Sequence, residues 1–489
     1  MKYQNPIIYS DYSDPDVLSY GKGFFMVSSS FNYFPSVPVL YSENLVEWKV
    51  VNYVIEDIDL EIFNSVRHGE GAWAPSIRFY DGWFYCLIPF PDQGVYMCKT
   101  KNPFEKWSKP HLLIEGKGII DPCPIWTDNK CYVACAFAKS RIGFNSVIGL
   151  YEVSLDLTEN LSKDYKIIYD GHDNNPTIEG PKFYYRKGFY YILAPAGGVK
   201  TGWQVALRSK NVYGPYESKI VLMQSDTAVN GPHQGALIDL YGDFNYFLHF
   251  QDKNEYGRIL HLQPVKWING WPIIGNIKDE KLAGAPVTGG DYPVDIKTDF
   301  SIKTTFDFTK KEIFPLQTPA RNKDGYKFDK GLILSCDKFD GNLSEYTKVL
   351  TQKVAFKDFS VSAKCKLSFD KDTDKAGLIV LGTEYAYACV TKIGEKLFAQ
   401  AVVGKFCDAE KVKESFEISD AEVEFMIKAK NSGGKLKYKL GICGKFFKTQ
   451  FIAHKGRWIG ARLGIFALSN ENSKGFSEFF NFCQEKIKK

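Results

Sequence analysis

The sequence predicts an all-β protein whose larger part is a five-bladed β-propeller, and three observations support this. A strand rich in aromatic residues and preceded by a turn recurs five times, at 23–27, 82–86, 130–134, 188–192 and 244–248. The repeat of about 50 residues indicates blades, since one four-stranded blade cannot bury its own faces and must stack on neighbours in a ring. Eight of the nine tryptophans lie at or before Trp271, so the chain changes character there.

The remainder of the chain is predicted to form a separate, smaller domain. A chain of 489 residues is too long for a single hydrophobic core. The region after Trp271 is rich in lysine and in short alternating strands, and the Gly/Pro-rich stretch 283–290 is typical of a linker. We therefore predict a propeller over 1–290, a linker over 291–300 and the second domain over 301–489.

Charge and cysteine content narrow the choice of partners and compartment. The net charge is +5, and the basic residues are scattered among nearly as many acids, which argues against a nucleic-acid or membrane surface and favours a neutral small molecule as target. The eleven cysteines form no C-x-x-C pair and are expected to be reduced thiols. The N-terminus has no apolar signal region, which predicts a cytoplasmic protein. The sequence does not decide whether the protein is a monomer or a homo-oligomer.

One residue ahead of each aromatic strand occupies the same place in the repeat. These residues are Asp14, Trp73, Asp121, Glu179 and His233, and they are 59, 48, 58 and 54 residues apart. Equivalent positions of successive blades meet around one axis, so the side chains are expected to be neighbours in space. Packing three carboxylates together costs free energy unless their altered pKa values serve a task, which predicts a functional site.

The three acids differ in their local sequence. Glu179 stands among proline, glycine and apolar residues, where desolvation would raise its pKa and suit it to act as a general acid. Asp14 precedes Pro15, which holds it extended at the start of a strand, although an Asp before proline is often only turn chemistry. Asp121 follows an apolar strand. It either adjusts the electrostatics of the site or only accepts hydrogen bonds from backbone amides.

The other candidates would bind a ligand rather than react with it. Trp73 and Phe31 offer flat faces on which a sugar ring could stack, or they are packing residues. Arg258 could donate a fork of hydrogen bonds to hydroxyl groups, or form an ion pair with a site acid. His233 could ligate a cation, bond a water or be a core imidazole.

The combination of acids points to one kind of chemistry. Two distinct carboxyl groups around a neutral ligand, one protonated and one ionised, are what glycoside hydrolysis requires. The chain contains no G-x-S-x-G elbow, phosphate-binding glycine loop, H-E-x-x-H or dinucleotide fingerprint. A non-catalytic sugar-binding propeller is the less favoured alternative, because it would not need three acids on the axis.

At these residues the chain resembles glycoside hydrolase family 43, whose members are five-bladed propellers. The matching motifs are Asn5-Pro6-Ile7-Ile8, Ser13-Asp14-Pro15-Asp16, Phe31-Asn32-Tyr33-Phe34-Pro35-Ser36-Val37-Pro38, Trp73-Ala74-Pro75, Ile120-Asp121-Pro122, Ile178-Glu179-Gly180-Pro181, Gly231-Pro232-His233-Gln234-Gly235 and Gly257-Arg258. Past the linker, Asp374-Lys375-Ala376-Gly377-Leu378 and Gly456-Arg457-Trp458-Ile459-Gly460-Ala461 look like the lectin-like (concanavalin A-like) β-sandwich of one branch of that family.

The resemblance assigns a role to each acid. It implies that Asp14 is the catalytic base, Glu179 the general acid and Asp121 the acid that modulates the pKa of Glu179. It also implies that the chemistry needs no cofactor, and that a Ca²⁺ ion bound through water lies near His233. An inverting reaction predicts that the carboxyl groups of Asp14 and Glu179 are about 6.5 to 9.5 Å apart, which leaves room for a water.

The activity implied is exo-acting, inverting removal of terminal β-D-xylose, α-L-arabinofuranose or both from xylo-oligosaccharides or arabinoxylan fragments. An enzyme that is primarily an α-L-arabinofuranosidase is the alternative. An endo-acting arabinanase or xylanase is less favoured, because in relatives a loop of the sandwich closes one end of the pocket.

Overall fold

Five four-stranded antiparallel sheets follow one another in the computed structural model, which describes residues 1–241, 244–277 and 283–487. A short strand, β1 (Lys2–Gln4), comes before them. Blade I contains β2 (Asp16–Tyr20), β3 (Gly23–Val27), β4 (Ser36–Ser42) and β5 (Lys49–Ile55). Blade II contains β6 (Ser76–Tyr80), β7 (Trp83–Phe90), β8 (Gly94–Thr100) and β9 (His111–Glu115). Blade III contains β10 (Ile119–Thr127), β11 (Lys130–Phe137), β12 (Val147–Val153) and β13 (Lys166–Asp170).

The last two blades repeat the same order. Blade IV contains β14 (Lys182–Arg186), β15 (Phe189–Ala196), β16 (Trp203–Ser209) and β17 (Glu217–Leu222). Blade V contains β18 (His233–Tyr241), β19 (Phe244–Asp252), β20 (Arg258–Ile268) and β21 (Trp271–Ile274). The five aromatic strands predicted from the sequence are the second strands of the five blades, so the predicted five-bladed propeller is confirmed.

Tight turns explain why the aromatic strands of blades II and IV follow their partner strands so closely. Between β6 and β7 the turn residues Asp81 and Gly82 have φ of 47° and 76°. Positive φ at both central residues is the type I′ geometry, whose twist matches that of the flanking strands. In blade IV, Lys187 and Gly188 repeat this geometry with φ of 49° and 79°.

The blades close into a ring through their first strands. β2 contacts β6, β6 contacts β10, β10 contacts β14, and β18 contacts both β15 and β2. At the seam, β1 pairs with β22 (Gly289–Asp291), and Ile8 bridges to Leu260 of blade V. The first strands therefore line the axis, and the residues at their N-terminal ends lie at one end of the ring.

A two-layer β-sandwich follows, and buried and more exposed residues alternate along several strands of its larger sheet. The larger sheet contains β23 (Thr305–Asp307), β24 (Lys327–Phe328), β25 (Leu332–Ser335), β27 (Phe359–Ser368), β32 (Glu422–Ser432), β33 (Lys435–Ile442), β34 (Lys445–Phe446), β35 (Phe451–Ile452), β37 (Phe476–Phe479) and β38 (Asn481–Lys486). The smaller sheet contains β26 (Leu350–Lys353), β28 (Lys375–Leu381), β29 (Glu384–Ile393), β30 (Lys396–Lys405), β31 (Asp408–Ile418) and β36 (Arg462–Leu468). One apolar core packs between the two sheets.

Helices are few and short within the described residues. They are α1 (Lys139–Ile142) and the 3₁₀ turns Glu61–Asn64, Asn254–Tyr256, Phe308–Lys310 and Leu343–Glu345. None of them has the length and apolar character needed to traverse a bilayer.

Specific polar contacts dock the sandwich on the propeller. Arg321 donates two hydrogen bonds to Asp57 of blade I, at 2.6 and 2.7 Å. The backbone N–H of Gly460 donates to Oδ2 of Asp11 at 3.0 Å. The other oxygen of Asp11 accepts from the backbone N–H of Arg258 at 2.9 Å, so this carboxylate joins the sandwich to two segments of the propeller.

Candidate active site

A cavity of about 250 Å³ opens where the first strands of the blades begin, and we call it the catalytic pocket. The residues proposed from the sequence all line it: Asp14, Phe31, Trp73, Asp121, Glu179, His233 and Arg258. Asp14 lies two residues before β2, and His233 is the first residue of β18. The pocket therefore gathers residues from all five blades, as equivalent positions around one axis must.

Asp14 is held by a cation and a hydroxyl group. Its side chain is buried, and its φ of 54° places it in the left-handed region. The extended conformation expected before Pro15 is therefore wrong, although the left-handed conformation also avoids the right-handed helical region that a following proline disfavours. Oδ1 accepts a hydrogen bond from Nη1 of Arg258 at 2.9 Å, and Oδ2 accepts one from the hydroxyl of Ser29 at 2.6 Å. These two hydrogen bonds fix the position of the carboxyl group in the pocket. Of the two roles left open for Arg258, the ion pair with a site acid is present.

Asp121 lies at a bulge where β10 leaves its partner strand. The pairing register shifts between Ile120 and Cys123, and φ of Asp121 is 56°. This geometry turns the carboxyl group to accept a hydrogen bond from the backbone N–H of Gly180 at 2.8 Å. Burial raises the pKa of Asp121 to about 7, and the negative charge of Glu179 acts in the same direction. A proton is therefore retained on this carboxyl group at much higher pH than usual.

Glu179 occupies a less enclosed position than its sequence suggests. Its backbone N–H donates to the carbonyl of Pro195 at 3.1 Å, which fixes the segment before β14 on blade IV. Its side chain is 34% exposed, and Oε1 lies 2.9 Å from Nε2 of His233. The expectation of a carboxyl group enclosed by apolar residues is thus replaced by one that faces the pocket and has an imidazole partner.

His233 is completely buried, and its two ring nitrogens differ. Nε2 is bonded to Glu179, whereas Nδ1 has no hydrogen-bond partner among the described residues. Calcium takes six to eight oxygen ligands. Within the described ranges, no three His, Cys, Asp or Glu side chains are grouped as a metal site would need. The residues present therefore do not fit directly coordinated Ca²⁺.

Aromatic rings form one wall of the pocket. The centroids of Phe31 and Trp73 are 6.1 Å apart, and Nε1 of Trp73 donates to the carbonyl of Gly69 at 3.1 Å, which fixes the indole ring. The guanidinium carbon of Arg141 lies 5.0 Å from the centre of Trp73. Phe31 is buried and Trp73 half-buried, so Trp73 has the more accessible ring for a sugar.

Trp458 completes the wall and comes from the sandwich rather than the propeller. It lines the catalytic pocket, packs edge-on against Trp73 at 6.3 Å and is 44% exposed. Its φ of 69° is unusual for a bulky side chain and directs the loop toward the propeller. From the sequence alone this residue belongs only to a sandwich motif, although it is the single tryptophan after Trp271.

A five-bladed propeller that holds two carboxyl groups in different environments within one small pocket defines a glycoside hydrolase. Residues 3–272 match the model of glycosyl hydrolases family 43, and residues 321–484 match the β-xylosidase C-terminal concanavalin A-like domain. The chain belongs to glycoside hydrolase family 43. The propeller and the lectin-like sandwich expected from the motifs are both confirmed.

Known proteins resemble this chain over different lengths. A provisionally named β-xylosidase of Xylanibacter ruminicola is 40% identical over 60% of this chain, which spans 54% of that relative. A xylosidase/arabinosidase of Butyrivibrio fibrisolvens is 24% identical over 99% of both chains. The crystal structure of the family 43 protein BlXynB from Bacillus licheniformis superposes with a TM-score of 0.84 at 21% identity over 100% of both chains, which supports the fold.

Proposed function

We propose that the protein is an exo-acting, inverting hydrolase that removes terminal β-D-xylose from short xylo-oligosaccharides. The observation that carries this proposal is the meeting of Asp14 and Glu179 in one pocket with opposite surroundings. Asp14 is paired with the Arg258 guanidinium, whereas Glu179 is bonded to an imidazole beside an acid whose pKa is raised. Environments that separate the protonation states of two carboxyl groups supply the acid and the base of glycoside hydrolysis.

The reaction needs one proton donor and one proton acceptor. Glu179 donates a proton to the glycosidic oxygen, and the bond from this oxygen to the anomeric carbon breaks. Asp14 accepts a proton from a water that attacks the anomeric carbon from the opposite face, which inverts its configuration. Asp121 is assigned the role of the acid that modulates Glu179 electrostatically, and the charge of Glu179 in turn acts with burial to raise the pKa of Asp121.

The size of the pocket and the origin of Trp458 support exo action. A cavity of about 250 Å³ suits one sugar ring. Trp458 of the sandwich closes part of its wall, so an open groove for a long polymer is not favoured. An endo-acting arabinanase or xylanase would need chain on both sides of the scissile bond.

An α-L-arabinofuranosidase is the second candidate. Terminal arabinofuranose presents hydroxyl groups in an arrangement similar to that of xylose, and the name of the full-length relative from Butyrivibrio fibrisolvens includes both activities. Discrimination between the two sugars would rest on one or two contacts worth about 1 to 3 kcal/mol.

Proton NMR of the enzyme with xylobiose tests the proposal. The xylose released from the reducing end carries the anomeric mixture already present in xylobiose, so the new anomeric centre is measured as the excess over that mixture. We expect this excess to be α-xylose in the first minutes, before mutarotation produces the β form. An early excess of β-xylose would contradict inversion. Release of arabinose from an arabinofuranosyl substrate, with xylobiose left intact, would establish the second candidate instead.

No step of this reaction uses calcium. Any Ca²⁺ near His233 would be held through water, since the residues present do not coordinate it directly. We expect turnover of xylobiose to be unchanged after exhaustive chelation, and a loss that added Ca²⁺ restores would contradict this.

A further inference from the structure

A second cavity of about 660 Å³ adjoins the catalytic pocket where the propeller meets the sandwich. The two cavities share four lining residues, Gly198, Val199, Arg258 and Trp458. Because the catalytic pocket suits a single sugar ring, the rest of an oligosaccharide has to lie outside it. The adjoining cavity provides that space, and we call it the leaving-group cavity.

The leaving-group cavity has an excess of positive charge. Its ionisable lining residues are Lys200, Asp252, Arg258, Lys455 and Arg457. Arg258 is paired with Asp14 at 2.9 Å, and Lys455 with Asp252 at 3.3 Å. Neither of the other two bases has an acidic partner within 4.0 Å in the part of the chain that the structure describes. Two cations in this cavity are therefore available to a ligand.

Arg457 is anchored against the propeller. Gly69 has φ of 76°, and a Cβ atom added there would lie only 2.7 Å from Cδ of Arg457, so the arginine stem rests on a backbone without a side chain. The carbonyl of Gly69 also accepts the hydrogen bond from Trp73. This packing fixes the stem beside the pocket wall, so less side-chain freedom is lost when the guanidinium group binds a ligand.

Lys200 lines the leaving-group cavity from the propeller, whereas Arg457 belongs to the sandwich. It lies in the loop that follows β15, where Gly197 and Gly198 have φ of 75° and 78°. Trp458 is shared by both cavities and presents an exposed ring between them. A sugar that stacks on this ring would thus lie between two basic side chains from different domains.

We propose that the leaving-group cavity binds the departing sugar and favours one that carries a carboxylate, as a uronic acid does. Lys200 and Arg457 are the residues that determine this specificity. The planar carboxylate matches the guanidinium fork, whereas a neutral sugar leaves both cations without a partner. Sulfate and phosphate esters of sugars share the negative charge, but not the planar geometry. This inference rests on the proposed function, because it assigns the leaving group of that reaction.

Binding tests the inference without turnover. The probes are two trisaccharides in which a terminal xylose is linked to a second xylose that carries a side sugar. The side sugar is glucuronic acid in the acidic probe and glucose, obtained by reduction of the carboxyl group, in the neutral probe. Titration calorimetry with the Glu179→Gln variant should give a Kd about five- to tenfold lower for the acidic trisaccharide, the size expected of a partly exposed charge-assisted contact. The difference should shrink as NaCl is raised, since salt screens exposed charges.

Substitutions locate the effect. Lys200→Gln and Arg457→Gln, each in the Glu179→Gln background, should bring the ratio of the two Kd values toward one. Lys330→Gln is the matched control, because this exposed lysine lines neither cavity, and it should keep the ratio of the parent. Equal Kd values for the two trisaccharides in the Glu179→Gln parent would overturn the inference. An unchanged ratio of the two Kd values when Lys200→Gln and Arg457→Gln are combined would also overturn it. Tighter binding of a sulfated trisaccharide than of the uronate would overturn the choice of a carboxylate.

The inference and the proposed function fail separately. Release of xylose from xylobiose by the unaltered protein depends on the catalytic pocket and not on charge in the leaving-group cavity. Absence of that release would overturn the proposed function, and the ratio of Kd values would still decide what the leaving-group cavity binds.

Discussion

The two sides of the catalytic pocket hold their carboxyl groups in opposite ways. On one side Asp14 is 5% exposed and bonded to a guanidinium group and a hydroxyl group. On the other side the side chain of Glu179 is 34% exposed, and its partner is the imidazole of His233. A permanent cation stabilises negative charge at the first position, while the second has a partner that can itself gain or lose a proton.

This difference supports the roles proposed for the two carboxyl groups. A general base has to accept a proton from water, and the Asp14 carboxyl group is held in the pocket by its ion pair with Arg258. A general acid has to reach the glycosidic oxygen, and Glu179 is the more exposed of the two carboxyl groups and lines the pocket. The proposed assignment rests on the neighbours of each group, because both are ordinary carboxyl groups in the unfolded chain.

Removal of the base should have the largest effect. We expect Asp14→Asn to lower kcat by about 10³-fold or more, on xylobiose and on 4-nitrophenyl β-xyloside alike, because water must be activated for either substrate. Asn tolerates a φ of 54°, so the backbone should be kept. Steady-state kinetics measure the loss, and Asp128→Asn, at an exposed turn, should stay near the parent activity. Activity above a tenth of the parent value would exclude Asp14 as the base.

The acid side should respond to the leaving group. Glu179→Gln should lower kcat on xylobiose by about 10³-fold, because a sugar alkoxide leaves poorly without a proton. The loss on 4-nitrophenyl β-xyloside should be about tenfold or less, since this phenolate needs little protonation. Comparison of kcat values for the two substrates measures the difference. Equal losses would remove the contrast between the two sides of the pocket.

The repeat in the sequence predicted the fold and the meeting of the acids. Each aromatic strand became the second strand of a blade, and the residue ahead of the first strand reached the axis. This worked because ring geometry relates equivalent positions without any knowledge of individual contacts. Asp14 and Glu179 could therefore be placed in one pocket from spacing alone.

The partners of the acids could not be predicted in the same way. Arg258 is 244 residues from Asp14, and the sequence left its ion pair as one of two roles. Trp458 reaches the pocket from the sandwich, and nothing in the propeller repeat specifies how a second domain docks. The exposure of Glu179 depends on the shape of the finished pocket, whereas its neighbours in sequence indicated burial.

A smaller effect, on the free energy of unfolding, is expected when Asp121 is replaced by a residue that cannot ionise. A carboxyl group whose pKa is raised to about 7 in the folded protein stabilises it while protonated, and this contribution is lost as the pH rises through that value. Asp121→Asn cannot ionise, so its free energy of unfolding should exceed that of the parent by up to about 4 kcal/mol at pH 8 and by much less at pH 5. Urea unfolding at the two pH values measures this. A difference that is the same at both would show that Asp121 does not titrate in this range.

The smallest effect should come from Trp458, the ring of the pocket wall that the sandwich contributes. Trp458→Ala removes a ring that stacks rather than a group that transfers a proton, so KM should rise about five- to tenfold while kcat changes by less than about threefold. The rise should be seen with both xylobiose and 4-nitrophenyl β-xyloside, because the ring borders the catalytic pocket and the leaving-group cavity and can contact the terminal sugar and either leaving group. Phe446→Ala is the matched control, since it removes another exposed aromatic ring of the sandwich that lines neither cavity. A fall in kcat confined to xylobiose would instead place Trp458 on the acid side, as a residue that positions Glu179.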